Sequence, residues 1–347
     1  MKKAKVAIFG ASGYSGEELV KRLSEHPLVE LSCLTSRQYA GKRAAEIFRW
    51  IGRRSSLANM EFVEPDPGKL APLEVGYAFL ALPHGVASEY ATALLAAGVK
   101  VLDLSADFRV KDPVVYKFFY QHDHPAPDLL KMSVYGLPEI YRLQIRGADL
   151  VACPGCYPTS ILLPLVPLLR ARMIRVPSII VSSLSGVSGA GRRTEPDLLF
   201  VECNESARPY GLPLHRHLSE IEQELSNAAG EPVTIQFAPH LIPLNRGIIT
   251  TIHADPVTAL TPDALDEVFE RAYGSEWFIH LLGSNRYPDV KNVVGTNRLE
   301  IAWRIDPRTG RMILMSAEDN LVKGAAGQAI QCLNIMNGWE ESLGLGS

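Results

Sequence analysis

KVAIFGASGYSGEELVKRLSE, residues 5–25, decides the fold of the N-terminal half. Lys5 to Phe9 reads as a short buried strand and Gly10-Ala11-Ser12-Gly13-Tyr14-Ser15-Gly16 as a glycine turn. Tyr14 to Glu25 reads as a helix with Leu19, Val20 and Leu23 on one side. The glycines are three apart, unlike the usual G-x-G-x-x-G, so context carries the reading: a strand before and an amphipathic helix after make the turn a pyrophosphate cradle at a helix N-terminus. Working outward, Val29 to Thr35 is a second strand, and the strand-like runs Val75 to Leu82 and Val99 to Ser105 flank a helical segment, Ala87 to Ala97. This alternation predicts an α/β chain with a doubly wound, mainly parallel dinucleotide-binding sheet.

NAD-preferring sites place an acid at the end of the second strand to bind the ribose 2′-hydroxyl. Here that point is Thr35-Ser36-Arg37. A hydroxyl and a guanidinium suit a 2′-phosphate, so the sequence predicts NADPH over NADH, held by Gly10, Ser12, Gly13, Tyr14, Ser15, Gly16, Ser36 and Arg37.

Beyond Cys156 the pattern turns β-rich, with runs at Ile179 to Leu184, Val233 to Ala238, Gly247 to Ala254, Leu299 to Ile305 and Met312 to Met315. These predict a second, α+β domain with a largely antiparallel sheet. Asp306-Pro307-Arg308-Thr309-Gly310 reads as a hairpin link, and Leu218 to Asn227 and Pro262 to Tyr273 as covering helices.

Composition narrows the function classes. A chain of 347 residues, 47% hydrophobic and 21% charged, has room for about two globular cores. Its net charge of −3 offers no basic stripe for nucleic acid; Arg49, Arg53 and Arg54 form only a short basic cluster. No apolar run approaches a membrane span, and the four apolar residues before Gly10 are too few for a secretory signal. The five cysteines, Cys33, Cys153, Cys156, Cys203 and Cys332, are odd and sparse, which argues for a reducing compartment, the cytoplasm.

One of them stands apart. Pro154-Gly155-Cys156 runs into Tyr157-Pro158-Thr159 and a long apolar stretch, which places a thiol at a helix start, where the partial positive charge lowers its pKa. Pro164 and Pro167 lie inside that helix and each costs about 3 kcal/mol, so an irregular helix is expected. A thiol nucleophile beside a nicotinamide points to chemistry at the acyl and aldehyde level.

At this point the chain resembles the N-acetyl-γ-glutamyl-phosphate reductases. The resemblance rests on Gly10 to Gly16, Ala81-Leu82-Pro83-His84-Gly85, Ser105-Ala106-Asp107-Phe108-Arg109, Tyr135-Gly136-Leu137-Pro138-Glu139 and Pro154 to Thr159. It continues through Ser185-Gly186-Val187-Ser188-Gly189-Ala190-Gly191-Arg192, His215-Arg216-His217 and Asp319-Asn320-Leu321-Val322-Lys323-Gly324. The resemblance implies an NADPH-dependent reduction of N-acetyl-L-glutamyl 5-phosphate to the 5-semialdehyde in arginine biosynthesis. Cys156 would be the nucleophile and His215 the acid/base residue, with His217 as competitor because residues two apart in an extended segment share a side. Ser185, Gly186 and Asn320 would lie at the cofactor, and Arg109, Arg192 and Lys323, with His217, would meet the anionic acyl-phosphate substrate; Arg216 is a further cation. The last helix, from about Asn320 to Asn337, would rejoin the first domain, giving domains of 1–155 with 318–347 and of 156–317. A homodimer or homotetramer and no metal are expected.

The chain departs from the pattern at Cys153, where many members have asparagine. Cys-Pro-Gly-Cys raises redox and zinc readings, but a structural zinc needs a second ligand pair, which is missing; an inactivating Cys153–Cys156 disulfide under oxidation is the milder expectation. His-Leu-Ser-Glu, ending at Glu220, replaces the usual Pro-Glu. Competing readings are a reductase of carrier-linked aminoadipyl phosphate from lysine biosynthesis, aspartate-semialdehyde dehydrogenase, and a non-catalytic NADP-sensing regulator, which would be expected to lose the thiol or the histidine first.

Overall fold

The computed structural model describes residues 3–52, 54–192 and 194–346. Arg53 of the basic cluster lies outside the described residues. The chain divides into two compact units. One takes in the chain up to Val114, His122–Pro154 and the chain from Ala325; the other takes in Val115–Gln121 and Gly155–Gly324.

The first unit is built on seven strands: β1 (Ala4–Phe9), β2 (Val29–Thr35), β3 (Phe62–Val63), β4 (Tyr77–Leu80), β5 (Lys100–Asp103), β6 (Val134–Tyr135) and β7 (Leu150–Ala152). Their order is β3-β2-β1-β4-β5-β7-β6, and every neighbouring pair is parallel. The continuous apolar run of β1 has the reason expected of a central parallel strand: Val6, Ala7, Ile8 and Phe9 are wholly buried between covered faces. The helix Tyr14–Glu25 and strand β2 begin and end where the sequence pattern puts them. The strand order reverses between β1 and β4, the topological switch point at which open α/β sheets bind ligands. The C-terminal helix Gly327–Met336 packs here on the helix Pro138–Arg146, with Gln331 donating to Glu139 and Glu341.

The second unit carries β8 (Ile180–Ser185), β9 (Arg208–Pro209), β10 (Gln236–Leu241), β11 (Ile248–Ala254), β12 (Ile279–Gly283), β13 (Leu299–Ile305) and β14 (Met312–Glu318), in the order β12-β13-β14-β11-β8-β10-β9. The sheet is largely antiparallel, as expected, but β8 with β10 and β12 with β13 are parallel. The hairpin β13–β14 turns through Asp306 to Gly310, with Gly310 at φ +72°. Two expectations need correction. The segment 318–324 packs in this unit because β14 runs on to Glu318 and the Asp319 and Asn320 side chains bond to it. The single last helix is two elements, a π-helical turn at Val322–Ala326 and then the α-helix Gly327–Met336.

The expected irregularity after Cys156 is also absent: Cys156–Arg170 is one 15-residue α-helix that includes both prolines. A proline removes the donor that would have bonded the carbonyl four residues earlier. Pro164 frees the Ser160 carbonyl, and the Ser316 hydroxyl donates to it at 2.6 Å. Pro167 frees the Leu163 carbonyl, and the Tyr273 hydroxyl donates to it at 2.8 Å. Both orphans are satisfied from outside the helix, whose residues Tyr157 to Leu169 are all buried. Tyr273→Phe leaves the Leu163 carbonyl unpaired in the core and is expected to cost about 1–3 kcal/mol, read as a lowered urea midpoint; an unshifted midpoint would refute it. Among the described residues no helix is long and apolar enough to cross a membrane.

Candidate active site

Cys156 is the first residue of the helix Cys156–Arg170, and its N-cap, Gly155, is extended at φ −71° and ψ 163°. No acidic residue lies in the first helical turn, so nothing within the helix offsets its positive end at the thiol. The Gly155 amide instead donates to Glu220 Oε2 at 3.2 Å. Glu220 is wholly buried in the first turn of the helix Leu218–Ala229, which packs along the cysteine helix. Its other oxygen lies 3.8 Å from His217 Nε2. One buried carboxylate therefore joins the residue before the thiol to the second histidine.

The two histidines are placed differently. The His215 ring sits among Tyr157, Tyr210, Phe237 and His217, with centroids 4.9 to 5.6 Å away. Burial, and secondarily the neighbouring Arg216 charge, push its pKa down to about 4. Its Nδ1 accepts the His217 amide at 3.2 Å, so the ring is neutral and carries its proton on Nε2. Tyr157 and Tyr210 share a hydrogen bond of 2.7 Å between their hydroxyls, and burial pushes Tyr210 up to about 12 and Tyr157 up as well, so both remain phenols at neutral pH.

The ends of three strands meet beside this cluster, since Ser185 and Glu318 both register with Ile248. Asn320, expected at the cofactor, accepts the Gly247 amide at 2.7 Å and donates to Ser188 Oγ at 3.0 Å, so it ties the glycine-rich segment to the β11 start. Ser185 Oγ donates to the Gly186 carbonyl, and a Cβ on Gly186 would lie 2.8 Å from the Arg246 nitrogen, which explains the glycine by packing. The Arg246 guanidinium bonds the Asp319 carboxylate, at 3.0 Å in the shorter ion pair. In the π-helical turn, a Cβ on Gly324 would lie 2.7 Å from both Cys156 Cβ and Glu318 Oε1. Lys323 is wholly buried, 5.8 Å over the Phe278 ring, whereas Arg192 and Arg216 are exposed. Arg246 and Glu318 carried no local sequence signal, and Gly324 stood only as the last letter of the Asp319–Gly324 motif; Glu220 did carry one, standing three residues after His217 at a helix start.

In the first unit, Gly10 has φ +76° and a Cβ there would lie 2.3 Å from the Ala81 carbonyl oxygen; on Gly16 it would meet the Gly10 oxygen at 2.3 Å. Both are required by the protein. Gly13 is not: a Cβ there would meet only the Gly10 oxygen, at 3.6 Å. Gly13 is the N-cap of the helix Tyr14–Glu25 without a side-chain cap, an open helix start that fits a phosphate. Ser12 and Ser36 share a 2.9 Å hydrogen bond, and the exposed Arg37 donates to the Tyr90 hydroxyl at 3.1 Å, so the turn and the end of β2 are brought together. Arg109 also lies in this unit. It is buried, and its guanidinium donates to the carbonyls of Leu104 and Cys153 at 2.8 and 2.7 Å. All five cysteines are free thiols, and among the described residues no three acidic, histidine or cysteine side chains gather as metal ligands.

Comparison with known proteins follows this division. Residues 5–148 match the semialdehyde dehydrogenase NAD binding domain and residues 156–320 the semialdehyde dehydrogenase dimerisation domain. The chain is 53% identical to the N-acetyl-gamma-glutamyl-phosphate reductase of Akkermansia muciniphila, covering 99% of each chain. It is 47% identical to that of Moorella thermoacetica, over 98% of this chain and 97% of the other. Among solved structures, aspartate semialdehyde dehydrogenase II from Vibrio cholerae shares the fold with a TM-score of 0.73 at 19% identity, over 97% and 99% of the two chains. Aspartate semialdehyde dehydrogenase with NADP from Candida albicans gives 0.69 at 17%, over 97% and 99%.

Proposed function

The chain belongs to the N-acetyl-gamma-glutamyl-phosphate reductases of the semialdehyde dehydrogenase family, and from that premise we propose how its residues carry the reaction. It reduces N-acetyl-L-glutamyl 5-phosphate to N-acetyl-L-glutamate 5-semialdehyde, with NADPH as the dinucleotide. The observation that carries the assignment of roles is the helix-start thiol joined through Glu220 to His217.

Cys156 loses its proton to His217, and its sulfur attacks the acyl carbon; the carbon–sulfur bond forms as the bond to phosphate oxygen breaks. The positive helix end favours the thiolate, and Glu220 steadies the imidazolium. Gly10 to Gly16, Ser12, Ser36 and Arg37 would hold the dinucleotide, which supplies the hydride that takes the thioester to the aldehyde level. Collapse of the resulting hemithioacetal returns the electron pair to Cys156 sulfur. His217 holds its proton facing the oxyanion until the carbonyl reforms.

His217 is favoured over His215 because Glu220 stands beside it, whereas the half-buried His215 is neutral and committed to the His217 amide. His217→Asn is expected to lower kcat by about a hundredfold or more, and His215→Asn by far less; the reverse order would return the role to His215. His215 also has a signature of its own. Its folded pKa lies below the unfolded value, so between about pH 6.5 and 4 the unfolded chain binds a proton that the folded chain does not. Stability therefore falls on acidification through that window, and His215→Asn should flatten that part of the urea midpoint's pH dependence.

The cofactor choice rests on Ser36 and Arg37 at the end of β2, where no acid stands. Arg37→Ala is expected to lower kcat/KM for NADPH by about tenfold or more and leave that for NADH nearly unchanged. Equal losses with both would refute the 2′-phosphate role. The direct test of the reaction is phosphate-dependent reduction of NADP⁺ with N-acetylglutamate semialdehyde, with carrier-linked aminoadipate semialdehyde and aspartate semialdehyde as competitors. Preference for either competitor, or no turnover, overturns the reading.

A further inference from the structure

Three wholly buried carboxylates, Glu220, Glu318 and Asp319, stand in the elements around Cys156. A substrate with a carboxylate and a phosphoryl group needs a fixed cation among them; of the cations marked by motif in this unit, Lys323 is wholly buried against Phe278, and Arg192 and Arg216 lie exposed on loops. Arg246 is different. It lies two residues before β11, and Ile248 at the start of β11 registers with Ser185 and with Glu318. Arg246 is thus carried to the end of the sheet where Gly324 lies against Cys156. The Gly324 amide donates to the Asp319 carbonyl at 3.0 Å, and the Asp319 carboxylate receives Arg246 Nε and Nη2 at 3.3 and 3.1 Å. That carboxylate also accepts the amides of Gly295 at 2.7 Å and Leu321 at 2.8 Å, so it cannot swing. The Arg246 side chain, 27% exposed, still reaches solvent.

We propose that Arg246 receives an oxyanion of the substrate, its carboxylate or its phosphoryl group, with Asp319 as the positioning residue that fixes the plane of the guanidinium. A guanidinium held in one plane by Asp319 and still reaching solvent can give such an anion charge-assisted hydrogen bonds. This rests on the acyl-phosphate reading of the site.

Arg246→Lys and Arg246→Gln in the full chain test it. Both are expected to raise KM for the acyl phosphate, about tenfold or more for glutamine and less for lysine, while the dissociation constant of NADPH and the iodoacetamide alkylation rate of Cys156 without ligand stay unchanged. Protection of Cys156 from iodoacetamide separates the two sources. Loss of protection by N-acetyl-L-glutamate in Arg246→Gln assigns the carboxylate, and loss of protection by inorganic phosphate assigns the phosphoryl group. Unchanged KM and protection with a lowered melting temperature would make the pair purely structural and overturn the proposal, as would failure of both anions to protect the parent. A parent that does not turn over acetylglutamyl phosphate, yet is protected by phosphate in an Arg246-dependent way, would overturn the reductase reading and leave the anion site standing.

Discussion

Cys156→Ser is expected to lose turnover by a factor on the order of 10⁴ or more while keeping its fold. Serine is sterically smaller and suits the first helical turn, so no packing argument predicts unfolding at this half-exposed position. Its hydroxyl stays protonated at neutral pH even at a helix start, and it makes a poor leaving group when the tetrahedral adduct collapses. The loss should therefore appear in kcat, with NADPH affinity unchanged. Mass spectrometry of the parent, incubated with acyl phosphate and no reductant, should show an acyl adduct on Cys156 that the variant lacks. Turnover within a hundredfold of the parent would mean that the thiol is not the acyl carrier.

The second large effect falls on a residue with no chemistry of its own. Gly324→Ala puts a Cβ 2.7 Å from Cys156 Cβ, 3.1 Å from Cys156 Cα and 2.7 Å from Glu318 Oε1. Two of these atoms belong to the start of a buried helix and cannot turn aside as the end of a flexible chain could. Either the π-helical turn Val322–Ala326 moves or the sulfur does. A misplacement of about 1 Å at a reacting centre costs about a hundredfold, and overpacking adds about 1–3 kcal/mol of destabilisation. The signature is a fall in kcat with Cys156 still open to iodoacetamide, since the thiol is displaced and not removed. Wild-type kcat in Gly324→Ala would show that the turn yields without disturbing Cys156.

These two residues mark what the sequence made legible. The thiol was readable because Pro-Gly-Cys before an apolar run is a local signal, as were the strand, turn and helix of residues 5–25, whose periodicity changes within a few residues. Gly324 was readable only as a motif letter, because its reason lies in a contact across 168 residues of sequence with Cys156. The choice between His215 and His217 was illegible from their spacing, and the proposal for His217 leans on Glu220, a buried carboxylate 3.8 Å from its ring. Local reasoning also misjudged Pro164 and Pro167, since the hydroxyls that satisfy the freed carbonyls come from Ser316 and Tyr273, far along the chain. The parallel pairings of β8 with β10 and β12 with β13 escaped for the same reason, because strand direction depends on the intervening connections.

Those prolines set intrinsic helix strength against aim. Alanine at both positions would make a better isolated helix and would bring amides back to the Ser160 and Leu163 carbonyls, displacing the Ser316 and Tyr273 hydroxyls from their acceptors. The helix that carries the nucleophile would then be free to roll or slide by a fraction of a turn against β14 and the helix Pro262–Tyr273. In the native chain those two hydroxyls act as dowels, and the direction in which Cys156 points is machined into the frame at Ser160 and Leu163, about one to two helical turns away from the sulfur.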